Sequence, residues 1–445
     1  MIAAAEQSEA YRAAFERRQR ALAESEPAWL RSLRAEAGER FFAAGFPTTR
    51  QEAWRHTSVA PIARAAFSEP AASPGGLAAT LDRLGFGGAF KGREAVFVNG
   101  RYAPELSSFS VAGARLATLA EAAADGAALS ESLAKLASDA DSPFTSLNTA
   151  FFEDALVLRV ASGSRIREPL HLLHVSTRGA AELPTLSHPR TLIFCGRDSE
   201  AHVVESYGGP KGELYFANAV TEIRLEDGAI LDHVKLQRES PQAFHVASLA
   251  VSQARDSRFR NQSVCVGGAL VRNDIDARLL GPGADCTLDG LFVADGEQLM
   301  DTHTRIDHAT PHGTSRELYK GILDGRSRGV FHGRIVVRKD AQKTDAHQSN
   351  RNLLLSKDAL VNSTPQLEIF ADDVKCKHGS TTGQLDPLQL FYLQSRGLSA
   401  QAARSLLTYA FASDLVARIG VPVVRSSLER FLQERLPAAP KEAVA

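Results

Sequence analysis

The sequence is short of the residues that build closed covalent or metal frameworks. Its 445 residues include four cysteines, Cys195, Cys265, Cys286 and Cys376, far apart and without a Cys-x-x-Cys pair. Such usage fits a reducing compartment and offers no cysteine cluster for a disulfide scaffold. No Gly-Lys dipeptide occurs, so a phosphate-cradling G-x-x-x-x-G-K-[ST] loop is excluded and nucleotide energy must come from another chain. No nucleophile elbow is present, nor a G-x-G-x-x-G after a clear strand, and Gly208-Gly209-Pro210 reads as a turn. No apolar run reaches the 18 or so residues of a membrane span. Charge of one sign is not in excess either: Lys+Arg 51 against Asp+Glu 52 leaves −1, whereas a nucleic-acid surface needs basic residues to neutralise phosphates. Near the start, Glu6 and Glu9 interrupt what a signal peptide would keep apolar, so a cytoplasmic address is expected.

What is present is ordinary for a folded chain, with 44% hydrophobic and 23% charged residues. The length implies two or three domains or one elongated repeat. Three regions are read: 1–150, mainly helical; 151–384, mainly β; and 385–445, helical again. In the first, Tyr11, Phe15, Leu22, Trp29, Leu33 and Phe41 recur at helical spacings up to about residue 65. Residues 68–76 read as a linker, Glu94–Val98 as a strand before an Asn99-Gly100 hairpin turn, and Leu119–Leu136 as helix. In the last region, Asp386-Pro387 caps a helix carrying Leu388, Phe391 and Tyr392, which Gly397 ends. Ser399 caps a second helix with Ala403, Leu407, Phe411 and Leu415, stopped by Gly420 and Pro422, and Ser426–Arg435 reads as a third.

Between them, short β-branched runs separated by Gly, Asp and Ser continue for over 200 residues. Turn signals ending at Ala201, Ala229, Ser257, Ala284, Thr314 and Ala341 recur at intervals of 28, 28, 27, 30 and 27. A period near 28 with alternating side chains suits a parallel β-solenoid, whose rungs bury inward residues against their neighbours. An antiparallel sandwich is the competing reading.

Two groups could carry chemistry. If 374–378 is extended, Val374, Cys376 and His378 share one face and Lys375 and Lys377 the other. The flanking lysines would then favour a Cys376 thiolate. Two ligands are too few for a closed metal site, so the remainder would come from a facing chain. In the second group, Asp301, His303, Arg305 and Asp307 alternate onto one face. Paired carboxylates there could serve a carbohydrate-active β-helix lyase or hydrolase, yet such a row is more often a charge-balanced outer face. Aromatics at 7% are few for sugar-stacking platforms. His171 and His174 point opposite ways on a strand, and Cys195, Cys265 and Cys286 sit in apolar runs as small core residues.

The segment Tyr319–Ala359 (YKGILDGRSRGVFHGRIVVRKDAQKTDAHQSNRNLLLSKDA) resembles the shared carboxy-terminal half of the SufB/SufD family of iron–sulfur cluster assembly proteins. Pro365–Phe411 is similar to the SufD branch, since a SufB-type chain would show an E-H-E-A-type motif in place of Cys376-Lys-His378-Gly-Ser-Thr. Weaker similarity reaches back through residues 169–174 and 148–154 to 45–54. Lys377 and Ser380 depart from the family's usual residues, which leaves the local charge open.

The resemblance implies a right-handed parallel β-helix between helical ends, and a non-catalytic scaffold. It implies pairing with a SufB-like subunit through the β-helix end and docking of a SufC-like ATPase on the C-terminal helices, with Tyr392, Leu398 and Phe411 as apolar contacts. It also implies a part for His378, with Cys376 beside it, at the cluster-assembly interface, His378 being the candidate metal ligand. No cofactor is then expected to stay on this chain alone; iron or a cluster is held transiently with the SufB-like partner. Whether isolated chains pair with each other, and whether a flavin binds the full complex, the sequence leaves open.

Overall fold

The computed structural model describes residues 2–24, 26–68, 77–124, 127–137, 142–178 and 183–435. Apart from Ser68, the expected linker at 68–76 lies outside them. Two long sheets face each other across one core, and successive strands alternate between them. The first sheet runs from Leu170–Val175 and Glu200–Gly208 to Asp345–Leu354 and Lys375–Gly383, and the second from Leu156–Val160 and Arg190–Cys195 to Arg328–Val337 and Leu360–Ile369. All of these pairings are parallel, so the chain coils as a solenoid with one strand per sheet in each turn. An antiparallel sandwich is thereby excluded.

The period of the coil is written in its turns. At one corner a single residue in each turn is left-handed: Asp198, Gly228, Asp256, Gly283, His312 and Lys343, at intervals of 30, 28, 27, 29 and 31 residues. Each of these donates its backbone N–H to the turn of the next rung, as from Asp198 to Asp227 O at 2.9 Å and from Lys343 to Asp373 O at 2.7 Å. The turns therefore form a hydrogen-bonded stack that satisfies backbone groups along one corner. The sequence alignment found this corner and slipped at three rungs. The true equivalents of Ala229, Ser257 and Ala284 are Ser199, Gly313 and Thr344, because the strands following them are in register. Ala201, Thr314 and Ala341 lie two residues late, one late and three early. Small residues occur on both sides of these turns, so the visual match could not fix the register.

Between the sheets, Leu158, Ile193, Ile223, Leu231, Phe259, Leu288 and Ile335 belong to one continuous apolar cluster. Helices cover the outer faces. Ile2–Leu22 and Ala28–Ala44 pack Tyr11, Phe15 and Phe41 together with Phe144 and Phe151 onto Phe216, Phe244 and Leu270 of the second sheet. Gly38 makes room for this, since a Cβ there would lie 2.5 Å from the Phe15 ring. On the first sheet, Ala412, Leu415, Val416, Val424 and Leu428 of Ala400–Val416 and Pro422–Arg435 cover Val234, Leu236, Val264 and Leu291. Burying each such Val or Leu contributes about 1.5–3 kcal/mol. Pro422 begins the last helix at its first position, where a missing N–H costs nothing, so that helix starts four residues before Ser426.

The solenoid's first end is closed over. Arg93–Val98 adds in parallel to Leu170–Val175 and is flanked by Arg101–Tyr102 and Ser108–Phe109, both antiparallel. Asn99 and Gly100, at φ 52° and 83°, make the expected hairpin turn. Ala114–Ala117 pairs antiparallel with Leu156–Val160. Among the described residues, the segment up to residue 150 thus contributes four strands to the two sheets. The helix expected over Leu119–Leu136 is replaced by two short ones, Leu119–Ala124 and Ala127–Ser130. Beyond them, the buried Glu222 carboxylate takes the N–H groups of Ala134, Leu136 and Ala137 at 2.8, 2.8 and 3.2 Å, which a helix would have used internally.

Candidate functional site

The last rung is built from Leu360–Ile369 and Lys375–Gly383, each at the end of its sheet. Lys375–Gly383 pairs with Asp345–Leu354 so that Cys376 lies on Ala346, His378 on Gln348 and Ser380 on Asn350. Cys376 packs against the apolar interior, and Ser380 Oγ is 2.8 Å from Ser363 Oγ of the facing strand. Both side chains therefore point inward, and His378 between them shares that face, while Lys375 and Lys377 point out. The predicted alternation holds.

Half-buried Cys376 corrects one expectation. Burial pushes its thiol up, and the nearby Asp345 charge works in the same direction. The lysines sit across the strand and do not supply the thiolate. Cys195, Cys265 and Cys286 are buried as expected, and burial raises each of their thiols. His378 itself is exposed at the mouth of the solenoid.

The edges of this rung are bare. Lys375 donates its N–H to Thr344 O at 2.8 Å, so the N–H groups of Cys376, His378, Ser380 and Thr382 point the other way, where no described strand follows. In Leu360–Ile369, Leu360 and Phe370 donate to Ser327 and Val337. That parity places Pro365 at an outward-facing position, where it withholds a donor from any added strand. One bare edge is blunted by proline and the other, carrying His378, is not.

Below His378 the interior turns polar. Gln348 Nε2 donates to Glu317 Oε2 at 2.7 Å, and Thr304 Oγ donates to Glu317 Oε1 at 2.5 Å. Ser363 Oγ donates to Asn350 Oδ1 at 2.8 Å. Burial pushes the Glu317 carboxyl up to about 7, and its two hydrogen bonds only partly offset that. A second polar group lies nearer the closed end. There Glu205 accepts from Tyr207, Thr221 and His233 at 2.8, 2.9 and 3.1 Å. Burial would raise Glu205, yet the His233 hydrogen bond and the neighbouring imidazoles outweigh it and hold the carboxyl below its usual range. His174 faces this interior group, whereas His171 faces outward to Glu94 and Phe90, as their spacing required.

The proposed docking residues separate. In Pro387–Ser395 every residue is at least partly exposed, and Leu388, Phe391 and Tyr392 are 77%, 70% and 57% exposed. Leu398 is half-buried. Phe411 faces the solenoid instead, with the Lys320 ammonium 4.7 Å from its ring and bonded to its carbonyl. The exposed apolar group is thus Leu388, Phe391 and Tyr392, joined by Leu406. The carboxylate row is spoken for as well. Buried Asp301 is bonded to Arg272 at 2.8 Å and to Thr57 at 2.6 Å, and Asp307 to Arg305 and Arg338 at 2.8 and 2.7 Å. That row leaves no unpaired carboxylate couple for sugar chemistry. A cleft of about 1470 Å³ runs past Arg83, Phe86, Arg238 and Leu428 and includes none of the predicted site residues. Among the described residues no group of three or more His, Cys, Asp or Glu is arranged to hold a metal, and no helix is long and apolar enough to cross a membrane.

Gln348 and Glu317 were missed from sequence. The signal was available: they lie 30 and 61 residues before His378, one and two rungs back, but only once the register is corrected.

A family model described as "SUF system FeS cluster assembly, SufBD core domain" matches residues 175–411, and one for the SufBD protein N-terminal region matches 5–73. The iron–sulfur cluster assembly protein SufD of Escherichia coli K12 is 31% identical over 88% of this chain and 90% of its own. An iron–sulfur cluster assembly SufBD family protein of Synechocystis is 34% identical over 75% of this chain and 76% of its own. With a solenoid, helical ends and these matches in agreement, the chain belongs to the SufBD family of iron–sulfur cluster assembly proteins.

Proposed function

We propose that this chain is a non-catalytic scaffold that pairs with a SufB-like subunit through the bare edge of Lys375–Gly383. The observation that carries this is the asymmetry of the last rung. A parallel edge with outward N–H groups is a template for another strand, and the neighbouring edge is blunted by Pro365. Pairing there would bring partner side chains to His378, whose imidazole could complete an iron- or sulfur-handling site that neither chain builds alone. Iron or the nascent cluster is then cargo held between two chains, and nothing need stay on this one. A SufC-like ATPase docks on the exposed face of Pro387–Ser395.

Copurification from the native cell with partner identification tests the pairing. His378→Ala is expected to leave complex yield intact and to impair cluster-dependent enzyme activity, with a smaller effect from Cys376→Ala. Normal activity at normal yield would reduce His378 to a surface residue, and loss of the complex would make its role structural. For the ATPase, replacing Leu388, Phe391 and Tyr392 together with serine should abolish its capture without lowering the melting temperature. Removing 386–445 is not an equivalent test, because it also strips the cover from Val234, Leu236 and Val264. Retained capture by the triple variant would refute the docking face.

A further inference from the structure

We infer that Gln348, anchored by Glu317, is a positioning residue for His378. Its free carbonyl oxygen takes the protonated ring nitrogen of His378, so that the other, unprotonated nitrogen faces out of the open end. This rests on His378 serving the joint site proposed above.

The geometry comes from three neighbouring strands of one sheet. Glu317, Gln348 and His378 are register partners on Thr314–Leu323, Asp345–Leu354 and Lys375–Gly383. Neighbouring strands lie about 4.8 Å apart, which puts the end of a glutamine within hydrogen-bond reach of a stacked imidazole. The Gln348 amide is held at one end only. Its Nε2 donates to Glu317, while its Oε1 is buried and has no partner among the described residues. Gln348 is 3% exposed, so that oxygen cannot simply turn to water, and a buried acceptor left unpaired is destabilising. On that row the register partner one strand further on is His378, whose imidazole can offer an N–H.

The seat is also shaped for the amide. On the facing strand is Gly333, where a Cβ would lie 2.2 Å from Gln348 Nε2 and 2.8 Å from its Cδ. Any larger residue there would push the amide off Glu317. Thr304, also from the second sheet, fixes the other carboxylate oxygen. Glu317 therefore chooses which end of the amide it binds, and that choice turns the acceptor end toward His378. Ligand-bearing histidines are commonly oriented by such a contact at the second ring nitrogen, which sets the tautomer.

The test is 15N NMR of the full chain labelled at histidine, at about pH 8, above the ordinary imidazole pKa of roughly 6.5. The His378 signals are assigned by their loss in His378→Gln. Wild type should show one dominant tautomer at His378. Gln348→Leu, which removes the acceptor, should relax the signals toward the mixture of a free imidazole. The buried His174 and His233 signals should stay unmoved, which reports an intact fold. Gly333→Ala, which displaces the amide but keeps it, should produce the same loss and serves if Gln348→Leu does not fold. Unchanged His378 signals in a folded variant overturn the proposal. Failure of the functional reading shows elsewhere: His378→Ala with normal cluster assembly removes the purpose of this positioning, whereas an unmoved tautomer removes the positioning itself.

Discussion

The two ends of the solenoid are treated differently by the same chain. At the first end, Arg93–Val98 and Ala114–Ala117 extend both sheets, antiparallel strands flank them, and Phe97 is sealed between Tyr102 and His174. At the last end both sheets stop on strands with no residue fully buried, and Phe370 beside them is 63% exposed. A solenoid needs a cap at each end to cover its apolar interior and unpaired edges. Among the described residues this chain supplies a cap at one end, and the other is the end proposed to receive a second chain. The interiors follow the same division. Glu205, toward the closed end, is met by enough donors to stay ionised, whereas Glu317, toward the open end, has only Thr304 and Gln348.

The sharpest way to break this comparison is a proline in each kind of strand. Ser263→Pro, in a strand paired on both sides, should cost at least about 3 kcal/mol and prevent accumulation of folded chain. Thr382→Pro, whose N–H points out of the open edge, should leave the melting temperature of the isolated chain nearly unchanged and weaken capture of the SufB-like partner at least tenfold. Equal damage from both would mean that the last strand is integral to the fold and the edge is not free.

Core truncations grade the same contrast. Phe97→Ala should cost about 3–5 kcal/mol by denaturant unfolding, and Leu367→Ala, half-exposed at the open end, about 1 kcal/mol. A partner that covers the open end should raise the second value in the complex and not the first.

The two buried carboxyls should respond oppositely to pH. Glu317 is raised in the folded state, so its contribution is fully present below the unfolded value near pH 4 and is lost as pH rises through about 7. Glu317→Gln should therefore stabilise the chain at pH 8 more than at pH 5. Glu205 is lowered, so its contribution is present above about pH 4 and lost only below it. Glu205→Gln should destabilise at both pH 5 and pH 8, by about 3 kcal/mol if it behaves as a broken buried ion pair. Melting curves of the two variants at the two pH values decide this.

Much of the architecture was legible before coordinates. The turn signals disclosed a solenoid because its corner is a repeated local conformation, with Asp198, Gly228 and Gly283 each in the left-handed region. The alternation through Val374–His378 put Cys376 and His378 on one face, and the caps at Asp386 and Ser399 were read correctly. What stayed hidden depends on distance along the chain. Glu222 reaching back to Ala134 dissolves a helix that local propensity favours. Phe411 looks like its neighbours in sequence and is drawn onto the solenoid by Lys320, 91 residues away. The thiolate expected at Cys376 failed for a simpler reason: sequence neighbours on a strand face opposite ways, so Lys375 and Lys377 are near in number and not in space. Gln348 and Glu317 became visible only when the rung length was known to vary between 27 and 31 residues.

Amide hydrogen exchange, resolved by residue and measured on the isolated chain and on the complex copurified with its SufB-like partner, tests the open edge most directly. Among the described residues no strand lies beyond the N–H groups of His378, Ser380 and Thr382, whereas those of Leu172 and Val96 at the closed end are bonded within the chain. We expect exchange at 378, 380 and 382 to be fast in the free chain and slowed at least tenfold in the complex, with the closed end unchanged. An intact complex in which these three amides exchange as fast as in the free chain would contradict strand pairing at Lys375–Gly383.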